Sequence, residues 1–320
     1  MLFRRKKSAS YPMNRSFYTM TIFLWLSFFS PLFSGPKIDF LKAVVHGNRA
    51  TIQELLEKEG SHFVYLRDKN GDTPLHLACR TKKPDQAEAM IKLLIKNGAD
   101  INARNTYLAT PLHIAIATEN YAAATTLLQL PGIEPNYLNE RSYTPLHEAT
   151  FKRSTSFIKL LLASPAILPN VATCDGATPL HFAAMWGFYP EAKLLLTHPN
   201  TDPNAKQHAG DYVGATPLHF AALQAQPQIV ALLLEKNADV SIIASQGLFK
   251  GFTPLHFAVM NPDTINVLKT VKLLLQAGAN PNIPSALGKK PIDLTNVHIV
   301  RNVLNSPQPS VATEAGAAQL

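Results

Sequence analysis

The chain has 320 residues, 46% hydrophobic and 16% charged, with two cysteines and a formal charge of +8. That much apolar material excludes a generally disordered chain, and Cys79 and Cys174 alone exclude a disulfide framework or a four-thiolate zinc site. Five of the 30 cations (Arg4, Arg5, Lys6, Lys7 and Arg15) fall in residues 1–36 with no acid, which leaves 25 cations against 22 acids elsewhere. A near-neutral body of this kind lacks the basic face that nucleic-acid binding requires.

The first segment, 1–36, couples the basic stretch to an apolar run from Phe17 to Phe33, followed by Ser34-Gly35-Pro36. Its densest apolar part, Ile22 to Phe29, has the length of a signal-peptide core and is shorter than the roughly 20 residues that span a bilayer. Three readings stand: a cleaved secretory signal, an uncleaved membrane anchor, or a segment packed on the first repeat or lying on a membrane. Met13 offers a second start that makes the basic region compact. The expected location is therefore secreted or membrane-associated rather than plainly cytoplasmic.

Beyond residue 36 the chain repeats itself. The tetrapeptide Thr-Pro-Leu-His begins at Thr73, Thr110, Thr144, Thr178, Thr216 and Thr253, at intervals of 37, 34, 34, 38 and 37 residues. A degenerate copy begins at Lys290. Each intact copy precedes an apolar pair or triplet, such as Leu160 to Leu162, and then in most cases a turn rich in Gly, Asn or Pro. Threonine is a competent N-cap, and proline at the first helical position gives up an N–H that has no helical partner there. The pattern predicts helix, turn, helix and hairpin, with Gly98, Gly278 and Asn237 as left-handed helix ends. No such helix pair buries its apolar face alone, so the units must stack.

These motifs resemble the ankyrin repeat in both the TPLHxA signature and the period, over residues 37–306. The resemblance implies an all-α repeat solenoid of about eight helix-turn-helix units with short β-hairpin fingers. Two of the units are caps, Lys37 to Gly60 and the Lys290 copy. The tail, 307–320, is read as disordered; the stretch from Ser306 resembles the translocation signals of bacterial effectors. Turns such as Leu195 to Asn204 are similar to those of ankyrin proteins from intracellular bacteria.

Four copies exceed the basic period, in two ways. Extra residues around Lys82 to Gln86 and Pro262 to Asn266 lengthen the turn between helices or a helix end. Those near Gln207 to Ala215 and Ser245 to Phe252 lengthen two adjacent fingers, which points to a binding edge.

The ankyrin pattern implies a concave groove lined by the residues that follow each motif. Here these include Phe151 with Lys152, Met185 with Trp186, Leu223 and Met260, with Tyr143, Tyr212, Phe249 and Phe252 on nearby fingers. Aromatics, Met and Arg are the residue types that interface hot spots favour. The competing reading buries these side chains between neighbouring inner helices. The ankyrin resemblance implies that the six motif histidines are structural and tie each helix start to the neighbouring hairpin; helices packed about 10 Å apart also hold them too far apart to share an ion. Cys79 is expected in the core and Cys174 at an exposed hairpin, while Glu148 is read as a solvated groove charge.

No phosphate loop, nucleophile elbow or zinc-protease motif occurs, and no cofactor or metal is implied. Outside 37–306 only 50 residues remain, too few for a catalytic domain. The expected function is a non-catalytic protein–protein interaction scaffold that acts as a monomer. The alternatives are a secreted effector that captures a host protein and a membrane-tethered adaptor.

Overall fold

Each Thr-Pro-Leu-His starts a helix for a local reason that repeats six times. The threonine stays extended, the proline takes the first helical position, and the histidine ring turns back onto the cap. Its Nδ1 accepts the threonine N–H at 3.1–3.2 Å in every copy. The histidine thus fills the place of the acid in the usual reciprocal capping box.

The structure is a computed structural model that describes residues 35–81 and 83–306. The N-terminal cap pairs α1 (Pro36–His46) with α2 (Arg49–Glu59). Six inner and outer pairs follow: α3 (Pro74–Cys79) with α4 (Pro84–Lys96), α5 (Pro111–Ala117) with α6 (Tyr121–Gln129), and α7 (Pro145–Phe151) with α8 (Thr155–Leu162). Then come α9 (Pro179–Trp186) with α10 (Tyr189–Leu195), α11 (Pro217–Leu223) with α12 (Pro227–Glu235), and α13 (Pro254–Ala258) with α14 (Thr264–Gln276). A 3-10 turn, Pro291–Leu294, and α15 (His298–Asn305) close the array. Each inner helix packs on the next inner helix and each outer helix on the next outer one, around one continuous apolar core. The eight units, two of them caps, agree with the number predicted from the motif spacing. The apolar run 17–33, expected as a signal or anchor, and the tail 307–320, expected as disordered, lie outside the described residues.

Helix ends follow the residues expected. Gly98, Gly278 and Asn237 take φ of 90°, 88° and 60°. The four-residue insertions before α4 and in α14 are absorbed as helix. Those two outer helices have 13 residues, whereas α8 and α12 have 8 and 9. Four residues make about one helical turn, so the insertion extends the helix without rotating its apolar face out of the core.

The fingers contain no strand among the described residues, against the β-hairpins expected. The short ones span five residues, as from Asp68 to Asp72, and each is closed by two backbone bonds, such as Asn105 N–H to Ala109 C=O and Leu108 N–H to Asn105 C=O, both at 3.0 Å. Neighbouring fingers are joined mostly by single bonds, Thr106 N–H to Asn70 C=O at 3.1 Å being typical. A loop so short has no room for a ladder.

On the opposite side, asparagines form a second tie between units. The Asn102 side chain donates to Gly132 C=O at 2.7 Å and accepts from Glu134 N–H at 2.9 Å. Asn136, Asn170 and Asn204 repeat the two-way bond to the next unit. Ser241 holds the next register position and turns inward to its own Asp239.

Candidate functional site

The inner helices end in the groove, so their last residues decide what a partner would meet. Phe151 ends α7 one register position before the place that Trp186 takes at the end of α9, and they are 40% and 50% exposed. Burial between inner helices would have hidden them. Met185, Leu223 and Met260 are half-buried and pack on the core beneath the surface. The predicted groove residues therefore divide into two protruding rings and a partly sunken apolar floor.

The turn beyond the groove is fixed by cross-repeat bonds. Lys152 pairs with Glu119 of the preceding unit at 3.3 Å. The Arg153 guanidinium lies 4.9 Å from the Phe188 ring centre. Asn120 donates to the carbonyls of Cys79 and Thr81, and Asn261 to that of Leu223. The end of α7 is thus tied to the preceding unit through Lys152 and to the following one through Arg153.

The predicted finger aromatics fare differently. Tyr143 is half-buried, stacked on His147 at 5.8 Å and edge-on to Phe182 at 5.3 Å. Tyr212 and Phe249, from the two lengthened fingers, stack on each other at 5.0 Å and 17° and reach down to Phe220 and Phe257. Phe252 is 7% exposed, against Phe257 and the ring of His256. As a partner contact Phe252 is corrected: its ring fills the space under the longer loop and has no face left for a ligand. Burial also raises the Tyr212 hydroxyl above its usual pKa. The four extra residues in each finger, which enclose the 3-10 turns Gly210–Tyr212 and Gly247–Phe249, bring their own small core.

The lengthened tips themselves present residues the sequence reading passed over. Leu248 is 70% exposed on one, and Leu287, on the short finger beside it, is 78% exposed. Their signal was a large apolar residue beside a glycine inside a loop, Gly247-Leu248 and Leu287-Gly288.

The histidines hold the array together. Nδ1 of each accepts a proton from the threonine N–H, so Nε2 carries the ring proton and donates it to a carbonyl of the next finger. The acceptors are Ala109, Tyr143, Ala177, Ala215, Phe252 and Lys289, at 3.0 to 3.3 Å. Burial pushes the rings down to about 4 for His113, His147 and His181, and to about 3 for His219. His76 and His256 are lowered for the same reason.

Cys79 is buried, which raises its thiol, and Cys174 is exposed at the tip of the fourth finger. Glu148 departs from the solvated charge expected. It is half-buried, and desolvation raises its carboxyl, opposed by the nearby Lys152 and Arg141. Among the described residues no group of three or more His, Cys, Asp and Glu is placed to hold a metal, and no helix is long and apolar enough to cross a membrane.

Comparison with known proteins agrees with this architecture. The family model for ankyrin repeats (3 copies) matches residues 40–139, 127–207 and 205–285. The crystal structure of the ankyrin repeat domain of Bcl-3, described as a unique member of the IkappaB protein family, superposes with a TM-score of 0.65. It is 25% identical and covers 74% of this chain and all of that one. An I-Kappa-B like protein I1 of Microplitis demolitor bracovirus is 34% identical over 90 residues, 27% of this chain and 53% of the viral protein. NF-kappa-B inhibitor alpha of Sus scrofa is 32% identical over 94 residues, 29% of each chain. A transient receptor potential channel A member 1 homolog of Caenorhabditis elegans is 35% identical over 75 residues, 6% of its length. The chain thus spans about half or less of the curated relatives it matches. The capped stack of helix pairs, the histidine ties and the three family matches lead to one conclusion, that this chain belongs to the ankyrin-repeat family.

Proposed function

We propose that this protein is a non-catalytic scaffold that binds a partner protein through the concave groove centred on Phe151 and Trp186. The observation that carries the reading is the pair of large aromatic rings, 40% and 50% exposed, that end two adjacent inner helices. Rigid aromatics lose little freedom when bound, and a pre-ordered backbone keeps the entropy cost of association low. Met185, Leu223 and Met260 extend the apolar surface along the array, and Lys152 sets a charged border. The relatives named above include inhibitors of NF-kappa-B by title, consistent with binding another protein.

Peptide-display selection against the full chain supplies a defined ligand for the test. Trp186→Ala and Phe151→Ala should each weaken the selected peptides by about 30-fold, the scale of a hot-spot truncation. The thermal midpoint should move by no more than about 4 °C, since both rings are already half in solvent. Ligands indifferent to both substitutions, or a collapse of stability with binding retained, would overturn the groove.

We also propose that residues 1–36 place the scaffold in a secreted or membrane-associated setting, on the strength of the basic stretch followed by the apolar run 17–33. Intact mass with sequencing of the native N-terminal peptide tests this. A start between Ser34 and Lys37 indicates export. A start at Met1 or Met13 overturns cleavage and leaves a tethered or cytoplasmic adaptor.

A further inference from the structure

The two most exposed large apolar side chains on the fingers, Leu248 and Leu287, project from the tips of neighbouring loops. The loops are adjacent because Ala286 N–H donates to Lys250 C=O at 3.1 Å. That approach is so close that a Cβ on Gly251 would lie 2.5 Å from the Ala286 nitrogen. Behind the tips stand Lys250, Lys289 and Lys290, all exposed. The backbone there is fixed, since Lys289 C=O accepts from the His256 ring at 3.0 Å. None of the three lysines forms an ion pair among the described residues. No acid occurs in residues 244–252 or 285–290. The flanking acids are Asp211, on the next lengthened finger, and Asp293, whose carboxylate already accepts the Lys290 N–H at 2.9 Å. The tip carrying Leu248 is stiff, because Phe249 beside it is stacked on Tyr212 and packed 5.1 Å from Phe257.

We infer that this corner of the array docks on an anionic lipid surface. Leu248 and Leu287 dip into the headgroup boundary while Lys250, Lys289 and Lys290 meet the lipid charge. The shape favours lipid over a protein partner. A protruding leucine on a convex loop needs a matching pocket in a protein, whereas a fluid leaflet opens around it without one. Lysines set back from apolar tips are at the depth of the headgroups, where each adds to the attraction of an anionic leaflet. The corner is separate from the Phe151–Trp186 groove, so a scaffold docked this way keeps its groove available, and the two proposals fail independently.

Flotation of the full chain with phosphatidylcholine vesicles containing about one third phosphatidylserine tests the inference, with pure phosphatidylcholine as the comparison. The double variant Leu248→Asp with Leu287→Asp should lose about ten-fold or more of the anionic-vesicle binding, and raised salt should lower that of the natural chain. Trp186→Ala should leave it unchanged. Both leucines are exposed, so the thermal midpoint of the double variant should be preserved. A polarity-sensitive dye attached through Leu248→Cys, in a Cys174→Ser background, should shift to shorter wavelength on anionic vesicles. No flotation of the natural chain would overturn the inference. So would flotation that the double variant retains while the dye stays in water, which would assign binding to residues 17–33. Saturable binding to polyglutamate without vesicle binding would overturn it in favour of an acidic protein partner.

Discussion

Lowering the pH from about 7.5 to about 5.5 should strip the array of most of its stability, well above the range where carboxylates titrate. The cause is the histidine row. In the folded state His113, His147 and His181 titrate near 4 and His219 near 3, because burial disfavours the charged ring and Nδ1 is already occupied as an acceptor. In the unfolded chain the same rings take up protons near 6.5. Below 6.5 the unfolded state therefore binds more protons than the native one, and stability falls with pH until the folded values are reached. The contribution is fully present above 6.5 and is lost between there and about 4. One unit below 6.5 each ring costs on the order of 1.4 kcal/mol, so these four alone approach about 5 kcal/mol. A domain's whole stability is about 5–15 kcal/mol. Asp68 and Glu148, both raised by burial, act in the opposite sense, but near the carboxylate range. The measurement is the urea midpoint at the two pH values. A midpoint that does not move would refute the ladder as a set of neutral, buried acceptors. His219→Gln should flatten the pH dependence by about one proton while lowering stability at neutral pH, since the bonds to Thr216 and Phe252 C=O are lost or weakened.

The second large effect should be a gain. Glu191 on α10 is 2% exposed, and its Oε2 has no hydrogen-bond partner among the described residues. It stands 13 residues after its motif threonine, the position that Phe157 holds in the preceding unit and Ile229 in the following one. Both of those are buried core residues. Its Oε2, in an apolar outer-helix seam, has left water without gaining a hydrogen bond. Glu191→Leu should therefore raise stability by about 1–3 kcal/mol, the scale of the penalty for one buried unsatisfied polar atom. In an array of this size that corresponds to a thermal midpoint higher by several degrees. Thr270 holds the same register on α14, is fully buried and has an unpartnered hydroxyl, so Thr270→Val should move the midpoint the same way by a smaller amount. A loss on Glu191→Leu would mean that the carboxyl serves a partner or an ordered water in the seam.

Much of this molecule is written locally. Thr-Pro-Leu-His at a near-regular spacing determines the inner helices, their caps and their number, because each residue acts on the turn it occupies. The same locality makes Gly98, Gly278 and Asn237 readable as helix ends. The tying role of the motif histidine came with the ankyrin resemblance; the structure adds that Nδ1 bonds its own cap and Nε2 the neighbouring unit.

What the sequence left open depended on neighbours. The insertions before α4 and in α14 were a turn or a helix by sequence; stacking against a continuous core made them one extra helical turn. Tyr212, Phe249 and Phe252 had the composition of a hot spot, but the lengthened fingers lie side by side and bury Phe252 against Phe257. Phe151 and Trp186 had the same composition and stayed 40% and 50% exposed, because no neighbouring unit packs over the ends of α7 and α9. Sequence by itself determined the repeat, its caps and its histidine ties, since these are bonds within a unit and to a fixed neighbour. The tertiary structure alone decided which apolar and charged residues remain available, because exposure is set by the units on either side.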